Sequence, residues 1–451
     1  MKYFGVIFYL CVFFLDVSLA YKAGILQVDK EISSKEFSSF IYEARKAKVD
    51  ILVLPSLEPK ETLNNFDETV RVLSNAAKEA GSYIVAALYQ KINCQNVRET
   101  IKSNLVFNRK GATISEYRKP VSNLANCTST PSELVTFTTD FGVTFGLLMD
   151  EDIVLHNVEY LKGLKNFVMT VANKDDTVLN GDQLSSSWSY VNNANLISSK
   201  GIYIGKSGLR SSSNGLVTAV IDNKGVEVTV PVSSPISFSP ENLRQYTTKP
   251  LDLTASVEGY KDTVCYRSFC CEFFVKTGDI GFKPDVSYSF AAFDGIYPLT
   301  AHHKIGVQNC AVIACAGEIS NGLRPTNNTN IMFERISIAA NFTKQNVQYP
   351  LIYSSSMLPT EKFKFETNTD DVSKLVTLEV VDGQSVMNVG IFGRDFSKDY
   401  ESYALQRNNS ENTYDIYDLI FNEDIQGFFD YVWIRLRILI VVVSIYVLEM
   451  M

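Results

Sequence analysis

From residue 21 to about residue 232, the apolar positions switch repeatedly between a two-residue spacing and a spacing of three to four. Residues 25–28 read as a strand. Ser33 and Glu36 then form a capping box ahead of a helical face at Phe37, Phe40, Ile41 and Ala44. Residues 49–54 read as a buried strand. Phe66, Val70, Leu73 and Ala77 repeat the helical spacing until Gly81 stops it, and residues 83–88 are again a strand. Segments 104–107 and 112–117 flank the turn Arg109-Lys110-Gly111, and segments 134–138 and 143–149 flank Asp140-Phe141-Gly142, so both pairs predict hairpins. A strand at 167–171, a helix at 185–199 around Trp188 and a hairpin at 216–232 turning at Asn223-Lys224-Gly225 complete this part. Strands and helices in that order imply an α/β sandwich.

Pro231, Pro235, Pro240 and Pro250 punctuate a Ser-rich stretch, read as a linker over residues 233–250. Beyond it the helical period disappears. Val264 and segments 273–275, 286–290, 331–338, 363–365, 375–380 and 386–392 read as short strands between turns, which predicts a mainly β domain over 251–400. The length, 451 residues, is consistent with two domains, and 46% hydrophobic with 20% charged residues is ordinary for a globular chain. A net charge of -8 gives no footprint for nucleic acid.

Both ends carry apolar segments. Lys2, an apolar run over 3–15 and Ser18-Leu19-Ala20 read as a secretory signal peptide over 1–20, with the mature chain starting at Tyr21. Acceptor triplets at Asn126, Asn327, Asn341 and Asn408 suit a secreted glycoprotein. Removing Cys11 with the leader leaves Cys94, Cys127, Cys265, Cys270, Cys271, Cys310 and Cys315, an odd number, so a thiol stays unpaired or bonds another chain. Cys94 is expected to pair with Cys127, and two bridges are expected among the other five. On a strand, Cys270 and Cys271 would face opposite ways and take different partners. In the 401–451 tail, the apolar stretch 438–448 behind Arg435 and Arg437 is short for a bilayer span. It suits a lipid-anchor signal with attachment at Asn422 or Ser410, with a tilted single-pass helix or a buried C-terminus as alternatives.

Several motifs do not carry chemistry. Gly201-Ile202-Tyr203-Ile204-Gly205-Lys206-Ser207 has one residue too few between its glycines for a phosphate loop, and reads as a surface turn. There is no Gly-x-Ser-x-Gly elbow. His156, His302 and His303 are the only histidines and no Cys-x-x-Cys pair exists, so no metal and no cofactor is expected.

The informative residues end three strands of the first domain. They are Leu54-Pro55-Ser56-Leu57-Glu58, Glu116-Tyr117-Arg118-Lys119 and Leu148-Met149-Asp150-Glu151-Asp152. With the segment from Trp188 to Asn195 and Lys200-Gly201-Ile202-Tyr203, this order resembles the nitrilase (carbon-nitrogen hydrolase) superfamily. Cys265 with Cys270-Cys271, Ala292-Phe293-Asp294-Gly295, Cys310 with Cys315, and Gly390-Ile391-Phe392-Gly393-Arg394 resemble its vanin and biotinidase branch of secreted amidases. The resemblance implies a nitrilase-type α-β-β-α sandwich over 21–232 followed by a mainly β base domain. It also implies a glutamate, lysine and cysteine that act as base, oxyanion support and nucleophile.

By that resemblance only Lys119 is retained. Ser56 stands in the glutamate position and Asp150 in the cysteine position. Glu58 lies two residues too far along to point inward. A carboxylate at Asp150 attacking an amide would give an anhydride instead of a thioester. Asp152 and His156 match family positions and are expected to be a helix cap and a packing residue. A buried Lys119 needs a counter-charge, and Asp150 within about 4 Å, with the Ser56 hydroxyl beside it, is the expected source. The long insertion that the branch carries near its pocket is missing between Pro55 and the strand at Tyr83. The expectation is a secreted pseudoenzyme, held at the membrane where the tail serves as a lipid-anchor signal, that binds a small amide-like ligand or a protein partner. The alternative is an active amidase of the pantetheinase or biotinidase kind with an unrecognised nucleophile, for which Cys94 and Cys127 are the first-domain thiols.

Overall fold

The computed structural model describes residues 20–27, 34–55, 65–94, 97–120, 133–149, 152–171, 182–205, 215–221, 243–278, 286–299, 304–316, 331–354, 363–371 and 373–399. Residues 1–19 of the expected signal peptide, the tail over 401–451, Asn126, Asn327, Asn408, Cys127, His302 and His303 lie outside them, as does the second arm of the hairpin expected at 216–232. Among the described residues no helix is long and apolar enough to cross a membrane, and no group of side chains could hold a metal ion.

Chain order begins β1 (Tyr21–Gln27), α1 (Ser34–Lys46), β2 (Ile51–Val53), α2 (Phe66–Ala80), β3 (Tyr83–Cys94), β4 (Val97–Phe107) and β5 (Thr113–Pro120). Gly81 ends α2 with φ of 66°, a left-handed conformation that glycine adopts without strain, and its N–H closes on the Ala77 carbonyl. Next come β6 (Thr136–Thr138), β7 (Thr144–Met149), α3 (Asp152–Leu155), β8 (Asn166–Thr170), α4 (Asp182–Asn192), β9 (Asn195–Ser198), β10 (Gly201–Ile204) and β11 (Gly215–Ile221).

These strands form a six-stranded sheet, β11-β1-β2-β3-β4-β5, and a five-stranded sheet, β10-β9-β8-β7-β6. Alternation sets their faces. Ile25, Val53, Val85, Val106 and Tyr117 meet Phe145, Leu147, Val168 and Ile197 between the sheets, while Leu52, Ile84, Leu105 and Phe107 pack under α1 and α2. The outer face of the second sheet buries Phe167 against Trp188 of α4, with ring centroids 5.2 Å apart. The result is the α-β-β-α sandwich of the nitrilase type.

Two expectations in this half are corrected. The helix foreseen over 185–199 ends at Asn192, because Asn193 turns left-handed (φ 45°) and the chain continues as β9, a buried parallel strand. The surface turn foreseen at 201–207 begins instead with the buried strand β10, whose three side chains, Ile202, Tyr203 and Ile204, lie inside the core.

The second half adds β12 (Thr247–Pro250), α5 (Leu253–Ser256), β13 (Tyr260–Tyr266), β14 (Phe269–Thr277), β15 (Val286–Pro298), β16 (Lys304–Ala316), β17 (Phe333–Thr343), β18 (Val347–Ser354), β19 (Phe363–Thr369), β20 (Ser373–Gln384) and β21 (Val386–Arg394). The third sheet is β12-β15-β16-β21-β18 and the fourth is β13-β14-β17-β20-β19, packed face to face through Phe273, Phe290, Phe333 and Val389. The last residues of the expected linker are therefore a strand of the third sheet. The other face of that sheet completes the core around Trp188 with Val307, Tyr349 and Phe392, and Ser187 of α4 donates to the Pro350 carbonyl.

Two disulfides form in this half, as expected. Cys270 and Cys271 face opposite ways. Exposed Cys270 bonds Cys265 across the β13–β14 hairpin, and buried Cys271 bonds Cys310, tying the fourth sheet to the third. Cys315 is a buried unpaired thiol. The side chain of Cys94 lies outside the described residues, so its pairing with Cys127 does too.

Candidate functional site

The register of the β4–β5 hairpin places Lys102 opposite Lys119. Both lysines lie on the face that carries Val106 and Tyr117 toward the second sheet, and both are buried. Asn104, on the same face, donates from Nδ2 to the Leu148 carbonyl at 3.0 Å and ties the strand end to β7. Lys102 Nζ lies 5.7 Å from the ring centre of Tyr89 on β3.

Across from them the chain leaves β7 at Met149 and re-enters helix at Asp152, the first residue of α3, whose side chain is 1% exposed. Its Oδ2 accepts the Met149 N–H at 2.7 Å, and its Oδ1 accepts Lys119 Nζ, also at 2.7 Å. The carboxylate thus joins the end of β7 to β5 of the other sheet. Among the described residues the hydrogen-bond partners of Asp152 are the Met149 N–H and Lys119, so a buried carboxylate two residues beyond Asp150 supplies a counter-charge to the lysine. Ser56, Glu58 and Asp150 lie outside the described residues.

His156 follows on the same helical side, with Nε2 3.9 Å from Asp152 Oδ1 and its ring stacked on Tyr160 at 3.8 Å. Burial holds the imidazole below its usual value; Asp152 opposes that shift and Lys119 reinforces it. Burial and the Asp152 charge push the Tyr160 hydroxyl up to about 12. Thr170, at the end of β8 and level with Met149, is wholly buried on the face between the sheets, and its hydroxyl finds no hydrogen-bond partner among the described residues.

The far end of α3 is held by the second half of the chain. Arg394, fully buried at the end of β21, donates from Nε to the Val154 carbonyl at 2.7 Å and from Nη1 to Gly306 at 2.9 Å, with its guanidinium 4.3 Å from the Phe396 ring. Neither Lys102 nor the anchoring by Arg394 was foreseen from sequence. Counting the register outward from the Arg109-Lys110-Gly111 turn was the available signal for Lys102.

Residues 236–399 match the vanin C-terminal domain family. Vanin-like protein 1 of Drosophila melanogaster is 25% identical over 399 residues, covering 73% of this chain and 71% of its own. Vanin-like protein 2 of the same organism is 24% identical, covering 84% and 90%. The second half of the chain carries a vanin C-terminal domain, and most of the chain is similar to the vanin-like proteins. Among solved structures, Saccharomyces cerevisiae Nit3, a member of branch 10 of the nitrilase superfamily, is 18% identical with a TM-score of 0.36, covering 46% of this chain and 91% of its own.

Proposed function

We propose that this is a secreted vanin-like pseudoenzyme, a glycoprotein that binds at the strand-end site without turning over an amide. The observation that carries the reading is the Lys119–Asp152 pair. The retained lysine is committed to a buried carboxylate at 2.7 Å, in a chain that offers Asp150 and Ser56 in place of a thiol and a base. An ammonium held that way has less capacity to stabilise a new oxyanion. Without a nucleophile no acyl intermediate forms. Cys315 does not substitute, because burial pushes its thiol up to about 11 and leaves it almost wholly protonated.

What favours binding over a purely structural role is the buried Thr170 hydroxyl beside the site. A polar group without a partner is stabilised by any ligand that supplies one. Thermal unfolding against pantetheine, biotinyl amide and their product acids tests this reading. At a hundred times its dissociation constant, a bound ligand adds about 2.7 kcal/mol to stability. A shift with one of these, lost in Thr170→Val, with no product released, is the expected result. Release of product would refute the pseudoenzyme, and no shift with any of them would refute the binding site.

A further inference from the structure

One row of side chains crosses the outer face of the fourth sheet. On β17, Ala340 and Phe342 point into the core, so Asn341 between them is exposed. It opens the acceptor triplet Asn341-Phe342-Thr343. In β20 its cross-strand partner is Leu375, 41% exposed and among the large apolar side chains left in water. On the other side, Cys271 of β14 lies opposite Ala340, and the Phe269 and Phe342 rings meet 5.3 Å apart, so the register sets Cys270 opposite Asn341. Cys270 in turn lies opposite Cys265 of β13, to which it is bonded. Cys265, Cys270, Asn341 and Leu375 thus lie side by side on four adjacent strands, each about 5 Å from the next.

The two disulfides of this sheet differ in access. Cys271–Cys310 lies inside the core between the third and fourth sheets. Both cysteines of the Cys265–Cys270 bridge are exposed, and an exposed disulfide is open to attack by any thiolate in solution.

We propose that Asn341 carries an N-linked glycan whose first sugars lie over this row and shield the Cys265–Cys270 bridge and Leu375. The glycan is transferred from a polyprenyl-diphosphate-linked oligosaccharide. Asn341 Nδ2 loses a proton and bonds the anomeric carbon as the carbon–oxygen bond to the diphosphate breaks. Transfer precedes pairing of the strands. In the folded sheet the Thr343 N–H and hydroxyl lie 3.2 and 3.4 Å from Gln308 Oε1, and Asn341 is fixed between neighbouring strands. The sugar is bulky and polar, so on this face it covers an apolar side chain and blocks the approach of a thiolate to the bridge. This goes beyond the pseudoenzyme reading and does not depend on it, although it requires the secretory leader.

The test uses the full chain secreted from eukaryotic cells. Peptide mass mapping reads occupancy at Asn341. Limited dithiol reduction followed by differential alkylation then reads the opening rate of each bridge in the native protein and in Asn341→Gln. The result expected is an occupied Asn341, and a Cys265–Cys270 bridge that opens at least about threefold faster in the variant while Cys271–Cys310 is unchanged. Should Asn341→Gln not be secreted, trimming the glycan on the folded native protein to its first sugar gives the same comparison. An unmodified Asn341, or equal opening rates with and without the glycan, overturns the proposal.

Discussion

Lys119 and Asp152 are 11% and 1% exposed at their side chains, so solvent screens their attraction little. Replacing the pair with apolar groups need not destabilise the fold, but removing one partner leaves a buried charge and costs about 3–5 kcal/mol. Lys119→Met and Asp152→Leu are therefore each expected to lower unfolding free energy by that amount, and the double variant by clearly less than the sum. A denaturant double-mutant cycle measures the coupling, and additive losses of about 1 kcal/mol or less would mark a screened pair. His156 supplies a pH test. Its imidazole is held below the ordinary histidine range when folded, so its contribution is full above about pH 6.5 and is lost as pH falls through the lower folded value, where the native ring at last takes up its proton. Between pH 7.5 and 5, the native protein should lose more stability than His156→Gln, and equal slopes in urea titrations would contradict this. At this scale the sequence located Lys119 and the need for a counter-charge. The partners of Asp152 were not legible, because its bonds to Met149 and Lys119 depend on β5 and the end of β7 meeting in space, which no spacing rule encodes.

The elements around the site depend on the second half of the chain. α3 is four residues long, too short to persist unaided, and Arg394 holds its Val154 carbonyl. Arg394→Met removes charged hydrogen bonds worth about 1.5–3 kcal/mol each. Backbone amide exchange at His156, whose N–H bonds Asp152 O, should quicken in that variant more than exchange in β9; uniform change across both would assign Arg394 to general packing. The disulfides give an element-scale contrast. The Cys271–Cys310 bridge spans 39 residues and Cys265–Cys270 spans 5, and chain entropy assigns them about 4 and about 2 kcal/mol. Unfolding of Cys271→Ala/Cys310→Ala against Cys265→Ser/Cys270→Ser checks that order, and a larger loss from the short bridge would contradict it. Amphipathic elements were legible: α2 with its Gly81 stop and the strands behind Pro55 follow their periodicity. β9, β10 and β16 were not, because strands with both faces buried show no alternation, and no glycine or proline marks the end of α4 at Asn192.

Over the whole molecule, the fold class was legible because two helix-bearing sheets followed by a helix-poor half leave few ways to bury their faces. The packing of α4 against the third sheet, which joins the two halves in one core, was hidden by the large sequence distance between Trp188 and its partners Tyr349 and Phe392. The central claim is that this fold is kept while its amide chemistry is gone. Steady-state hydrolysis of pantetheine and of a biotinyl amide by the purified full chain, run beside Lys119→Ala, tests it most directly. The account predicts the same background rate for both proteins. Turnover by the native protein that Lys119→Ala abolishes would contradict it.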